Sequence, residues 1–187
     1  MQKIYFIFLW VCITLGARAQ NHYLVEFESF SPPEKDLISS LKGFPAESFL
    51  AKDAEGREHF LNDYRGKTVL LHFYSVEADA SFRWESQINL IQFQYIDDLQ
   101  IFGFADEERS IIESAMKDQA IVYPNFPNGN KFGEMAYAGD LGLGRMILIN
   151  EDGIISEVIP RSWIEKKNNE EAMAQINKIL SSMIHGK

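Results

Sequence analysis

From Thr68 to Tyr74 the chain is an almost unbroken run of apolar, β-branched and aromatic residues (TVLLHFY). Such a run suits a strand covered on both faces, and so a sheet flanked by helices. Small and acidic residues follow it (Ser75, Val76, Glu77, Ala78, Asp79, Ala80, Ser81), and then a helical pattern begins. Trp84, Ile88, Ile91 and Tyr95 fall at spacings of four, three and four, one face of a helix, with Leu90 and Phe93 widening the stripe. A buried strand, a short turn and a long helix make an α/β unit. In open α/β sheets, sites gather where the carboxyl ends of the strands meet helix starts. The turn 75–81 is therefore the first place to look for chemistry.

The residues before this unit fall into two parts. Residues 1–19 carry Lys3, the apolar run Ile4 to Leu15, and Ala17-Arg18-Ala19. That is the charged start, apolar middle and small-residue cleavage pattern of a secretory signal peptide, and the apolar run is too short for a spanning helix. Cleavage after Ala19 would leave an exported protein, periplasmic or extracellular, with no stable membrane anchor. The single cysteine, Cys12, lies inside this segment, so residues 20–187 contain none. They keep 16 Lys and Arg against 27 Asp and Glu, a formal net charge of −11. An acidic surface disfavours nucleic acid and anionic membrane as partners. Residues 20–42 form an N-terminal extension. Tyr23, Val25 and Phe27 alternate like a half-buried strand at the edge of the sheet, and Glu34 to Leu41 suit a short helix with Pro33 near its start.

Residues 43–187 read as one domain of mixed α/β type. Phe49-Leu50-Ala51 and His59-Phe60-Leu61 flank the turn Asp53-Ala54-Glu55-Gly56. Leu99 to Ala105 reads as the next strand, parallel to the first because a helix joins them. Asp106 is placed as an N-cap, with Arg109, Ser110 and onward forming a helix to about Lys117, and Asn125 to Gly133 reads as a surface loop. Arg145 to Asn150 and Ile154 to Ile159 flank Glu151-Asp152-Gly153, a strong hairpin signal. Ala172, Ile176, Ile179, Leu180 and Ile184 line a last helix over 168–184.

Gly66, Lys67, Phe73, Tyr74 and Glu85 give the stretch a resemblance to the active-site segment of the thioredoxin superfamily. It is most similar to the extracytoplasmic thiol-disulfide oxidoreductase and redoxin branch. That branch reads Gly-Lys, a buried strand, Phe-Trp, Cys-x-x-Cys and a helix with an early Glu. Asn62-Asp63-Tyr64-Arg65-Gly66-Lys67 resembles the family's entry to this strand, Ile121-Val122-Tyr123-Pro124 a later Tyr-Pro segment, and Leu148 to Ile154 its L-I-D-x-D-G-x-I ending. The resemblance spans roughly 43–184. It implies a thioredoxin-like fold, a central mixed sheet flanked by helices, here with an N-terminal strand extension. Counted from Phe73, the family's cysteine positions fall on Ala78 and Ser81; counted from Glu85, on Asp79 and Phe82. Neither register holds a cysteine. The family's cis-proline position falls on Gly144.

Thiol-disulfide exchange needs a thiolate, and residues 20–187 offer none, so neither oxidoreductase nor peroxidase activity is carried over. His22, His59, His72 and His185 are scattered, giving no metal-site spacing, and no cofactor is implied. His72 reads as a satisfied core residue. Two expectations remain. One is a redox-inactive module holding a protein or peptide in the cleft between the 75–81 turn and the 142–145 loop, with Tyr74, Trp84 and Arg145 as contacts. The other is a non-thiol enzyme using Glu77, Asp79, Ser81 and Arg145. In either case the helix start behind the turn needs an acceptor. Asp79 is placed to cap it, with Arg145 near Glu77 and Asp79.

Overall fold

The structure is a computed structural model that describes residues 27–77, 84–119 and 121–186. The signal-peptide segment, residues 20–26 and the turn 78–83, including the cap expected at Asp79, lie outside the described residues. Among the described residues seven strands and six α-helices follow in chain order. The strands are β1 (Leu50–Lys52), β2 (Glu58–Phe60), β3 (Thr68–Tyr74), β4 (Leu99–Ala105), β5 (Asn125–Phe126), β6 (Met146–Ile149) and β7 (Ile155–Ile159). The helices are α1 (Pro32–Leu41), α2 (Glu85–Gln94), α3 (Arg109–Gln119), α4 (Asn130–Ala136), α5 (Arg161–Glu165) and α6 (Asn169–His185).

β3 is the middle of a five-stranded sheet ordered β5-β4-β3-β6-β7. All seven of its residues are buried, which is why the run contains almost nothing polar. β3 pairs parallel with β4 from Thr68–Leu99 to Tyr74–Ala105, as the connecting helix requires. It pairs antiparallel with β6 from Val69–Ile149 to His72–Met146, and β6 continues through the 151–153 turn into antiparallel β7. β1 and β2 form a separate antiparallel hairpin. Phe49, leading into β1, sets its ring edge-on against Phe102 and Phe104 of β4, with centroids at 5.5 and 5.2 Å.

On α2, Trp84, Ile88, Ile91 and Tyr95 face the core as their spacing requires, and on α6 Ala172, Ile176, Ile179 and Leu180 do the same. At the head of α6, Asn168 accepts the Glu171 N–H at 2.8 Å. Each large aliphatic or aromatic side chain so buried contributes about 1.5–3 kcal/mol. Among the described residues no helix is long and apolar enough to cross a membrane.

Several local expectations are corrected. Leu90 and Phe93 do not widen the core stripe: they are 68% and 58% exposed, because α2 lies on the sheet along one side only. Phe27, the last residue of the expected edge strand, lies in a 3-10 turn over Phe27–Ser29, while Tyr23 and Val25 lie outside the described residues; residues 43–46 pair with the edge of the sheet, with Gly43 N–H donating to Ile155 O and Ala46 N–H to Gly153 O. α3 begins at Arg109 as expected, which puts Glu108 and not Asp106 immediately before its first residue. The segment 125–133 is not a surface loop: it holds β5 and the start of α4, with Asn125, Asn130 and Gly133 buried.

Candidate functional site at the end of the central strand

At the carboxyl end of β3 the backbone is tied to both neighbours. Asp106 N–H donates to Tyr74 O at 3.0 Å. One oxygen of Glu107 accepts the Ser75 hydroxyl and, at 3.1 Å, the Glu77 N–H. The exit of β3 is therefore fastened to the exit of β4 by a carboxylate outside any motif, which no periodicity in the sequence signals. Glu77 itself is exposed.

On the other side, Gly144 stands where the resemblance places a cis-proline. Its φ is +95°, and no peptide bond among the described residues is cis. Its N–H donates to Phe73 O at 2.5 Å, and Phe73 N–H donates to Arg145 O at 3.1 Å. Proline could supply neither that donor nor that φ, since its ring fixes φ near −65°. The loop is thus zipped to β3 by two backbone bonds, one of which, from Gly144, a proline at this position would forbid.

Arg145 does not reach toward the turn. Its side chain is 1% exposed and lies over the Phe73 ring, 4.3 Å from guanidinium carbon to centroid. Nε donates to Tyr137 O at 3.1 Å, Nη1 to Gly142 O at 2.9 Å, and Asn130 Oδ1 accepts at 3.4 Å. Gly133 makes room: a Cβ there would sit 2.2 Å from the Phe73 ring and 2.6 Å from Arg145 Nη2. Burial pushes the Arg145 pKa down to about 10, against the pull of Glu134, so the group stays cationic at neutral pH. The expected Arg145 contact with Glu77 is replaced by this inward network.

Tyr74 and Trp84, expected as partner contacts, are 0% and 4% exposed and face the core. The alternation of β3 turns Tyr74 to the side of His72, whose ring stacks on it at 5.1 Å, and the Tyr74 hydroxyl donates to Asn125 Oδ1 at 2.6 Å. Burial, then the nearby Glu85 and Glu107 charges, push the Tyr74 phenol up. His72 is not satisfied as expected. It and Glu85 of α2 are both fully buried, with Nδ1 3.3 Å from Oε1, yet among the described residues neither ring nitrogen and neither carboxylate oxygen completes a hydrogen bond. Burial pushes the Glu85 carboxyl up, with His72 pulling the other way. Sequence reasoning treated the two residues separately; the signal for the pair was a polar ring in an otherwise apolar strand, followed by an acid in the first turn of the next helix.

Among the described residues no group of three His, Cys, Asp or Glu is placed to hold a metal ion. The acids and Arg145 named for a non-thiol reaction are not brought together by the described residues: Glu77 is in solvent, and Arg145 is buried on backbone carbonyls. Ala78, Asp79, Ala80 and Ser81 lie outside the described residues.

No protein-family model matches the sequence, and no curated protein does. Solved structures do match. A thiol:disulfide interchange protein of the thioredoxin family from Chlorobium tepidum superposes with a TM-score of 0.64 at 20% identity, covering 76% of this chain and 97% of that one. A thiol:disulfide interchange protein from Bacteroides sp. gives 0.61 at 17%, covering 79% and 95%. A secreted Mycobacterium tuberculosis disulfide oxidoreductase gives 0.57 at 12%, covering 70% and 95%. With β3 central, β4 and β5 parallel to it, and an antiparallel β6–β7 hairpin on its other side, the chain has the thioredoxin-like fold.

Proposed function

We propose that this protein is an exported, redox-inactive thioredoxin-like module that works by binding a protein or peptide. The observation that carries the reading is the absence of cysteine from residues 20–187. Without a thiolate there is no attacking group for disulfide exchange or peroxide reduction. The Gly144 geometry supports it independently, because the loop facing the turn is closed onto β3 through a Gly144 donor and a φ that a proline cannot supply. Export is supported by the pattern over residues 1–19, and by the secreted oxidoreductase among the structural matches. Tyr74, Trp84 and Arg145 are buried, so a partner is held by other side chains. The test is purified protein beginning at Gln20, assayed for reduction of insulin disulfides and for dithiol-driven consumption of peroxide. No turnover is expected in either assay; turnover that survives repurification contradicts the reading.

A further inference from the structure

The outer side of α2 carries an apolar row that no described residue covers. Leu90, Phe93 and Ile96 are 68%, 58% and 59% exposed, at spacings of three along the helix and the turn that follows. The opposite side is already apolar and buried. A helix apolar on both sides is normally covered on both. Beside the row, a groove of about 590 Å³ runs between the end of α2 and the last turns of α6. Its lining mixes apolar surface with the neutral polar groups of Gln94, Asn177, Ser181 and Ser182, and includes one cation, Lys178, and His185. At its floor the Tyr95 hydroxyl donates to Asn177 Oδ1 at 2.9 Å. Asp97 and Asp98 are exposed at the end of the row, and Asp98 also lines a neighbouring cleft with Glu151.

Charge decides among occupants. Residues 20–187 carry a formal −11, which repels an anionic membrane. A second copy would bring the same charge, and its own Asp97 and Asp98, to the contact. A segment that brings its cations to Asp97 and Asp98, and neutral groups to the groove beside Lys178, meets no such penalty. Resting on the binding-module reading, we infer that the row Leu90–Phe93–Ile96 and the α2–α6 groove form the docking surface for an amphipathic segment of another protein, apolar along one edge and rich in Lys or Arg. The apolar edge covers the row, the segment's backbone meets the groove, and its cations approach Asp97 and Asp98. This is the helix-in-groove mode of recognition.

The probe is a synthetic amphipathic peptide of Leu and Lys at helical spacing, titrated into protein beginning at Gln20 by calorimetry. Its controls are a scrambled peptide of the same composition and a version with Glu for Lys. The amphipathic peptide is expected to bind at least tenfold more tightly than either control. Leu90→Ser with Phe93→Ser should cost at least tenfold in affinity and leave Tm unchanged, since both side chains are in solvent. Asp97→Asn with Asp98→Asn should weaken binding and flatten its salt dependence. Equal binding by the Leu90/Phe93 variant, equal binding of the scrambled peptide, or no binding at all overturns the inference. So does a wild-type dimer in sedimentation that the Leu90/Phe93 variant dissociates, or capture by phosphatidylglycerol vesicles lost in that variant. Insulin reduction by the same preparation would instead sink the redox-inactive reading and leave the peptide result standing.

Discussion

Gly144 and Arg145 carry most of what distinguishes this site. Gly144→Pro removes the donor to Phe73 O and demands a φ that the loop does not have. It should destabilise the protein by about 3 kcal/mol or more, measured by urea denaturation. Arg145→Met keeps length but leaves Tyr137 O and Gly142 O without their donors. Unpaired buried acceptors outweigh the relief of discharging the site, since each costs about 1–3 kcal/mol; a net loss of about 2 kcal/mol is expected. Glu85 has the opposite sign. Its pKa is raised from 4.5 by burial, so the folded state holds a proton that the unfolded chain releases. The stability it allows is therefore complete at acid pH and falls as pH rises from that ordinary value through the raised one. Glu85→Gln should match or exceed wild type at pH 7 and remove that slope from Tm measured against pH.

At the scale of elements, the β1–β2 hairpin is held by one carboxylate. Asp53, 1% exposed, accepts the Arg57 N–H at 2.9 Å, Arg57 Nε at 2.8 Å and His59 Nε2 at 2.9 Å. With Nε2 donating, His59 Nδ1 accepts the Tyr64 hydroxyl at 2.9 Å. Burial pushes the Asp53 carboxyl up, but the bonds from His59 and Arg57 outweigh it, and the pKa lies below its ordinary 3.8. The stability it confers is present above that value and lost as pH falls through the lowered one. Asp53→Ala should cost about 3 kcal/mol at pH 7, and hydrogen exchange should quicken first at Leu50–Lys52 and Glu58–Phe60. The elements themselves were legible where period and burial agree. β3, β4, the β6–β7 hairpin and α6 follow from their own residues. β5 and α4 were not, because Asn125 and Asn130 are polar residues buried by partners distant in sequence, Tyr74 and Arg145. Leu90 and Phe93 misled for the converse reason: apolar side chains at helical spacing fit the core pattern, and only tertiary contact tells a covered face from a bare one.

For the molecule as a whole, the sequence carries the fold and the loss of the thiols plainly, since one is a pattern of burial and the other a missing atom. How the loop beside the turn is rebuilt was not legible, because φ at Gly144 and the inward course of Arg145 are properties of the closed structure. This yields the central claim of the proposed reading: the remodelled backbone of this loop, as well as the missing sulfur, keeps the module from thiol-disulfide chemistry. The most direct measurement is insulin reduction by variants carrying Cys-x-x-Cys in either register, Ala78→Cys with Ser81→Cys and Asp79→Cys with Phe82→Cys. Both variants should fold and form the dithiol yet remain far below an active thioredoxin-like protein in rate. Turnover at the rate of such an enzyme from either one would contradict the account.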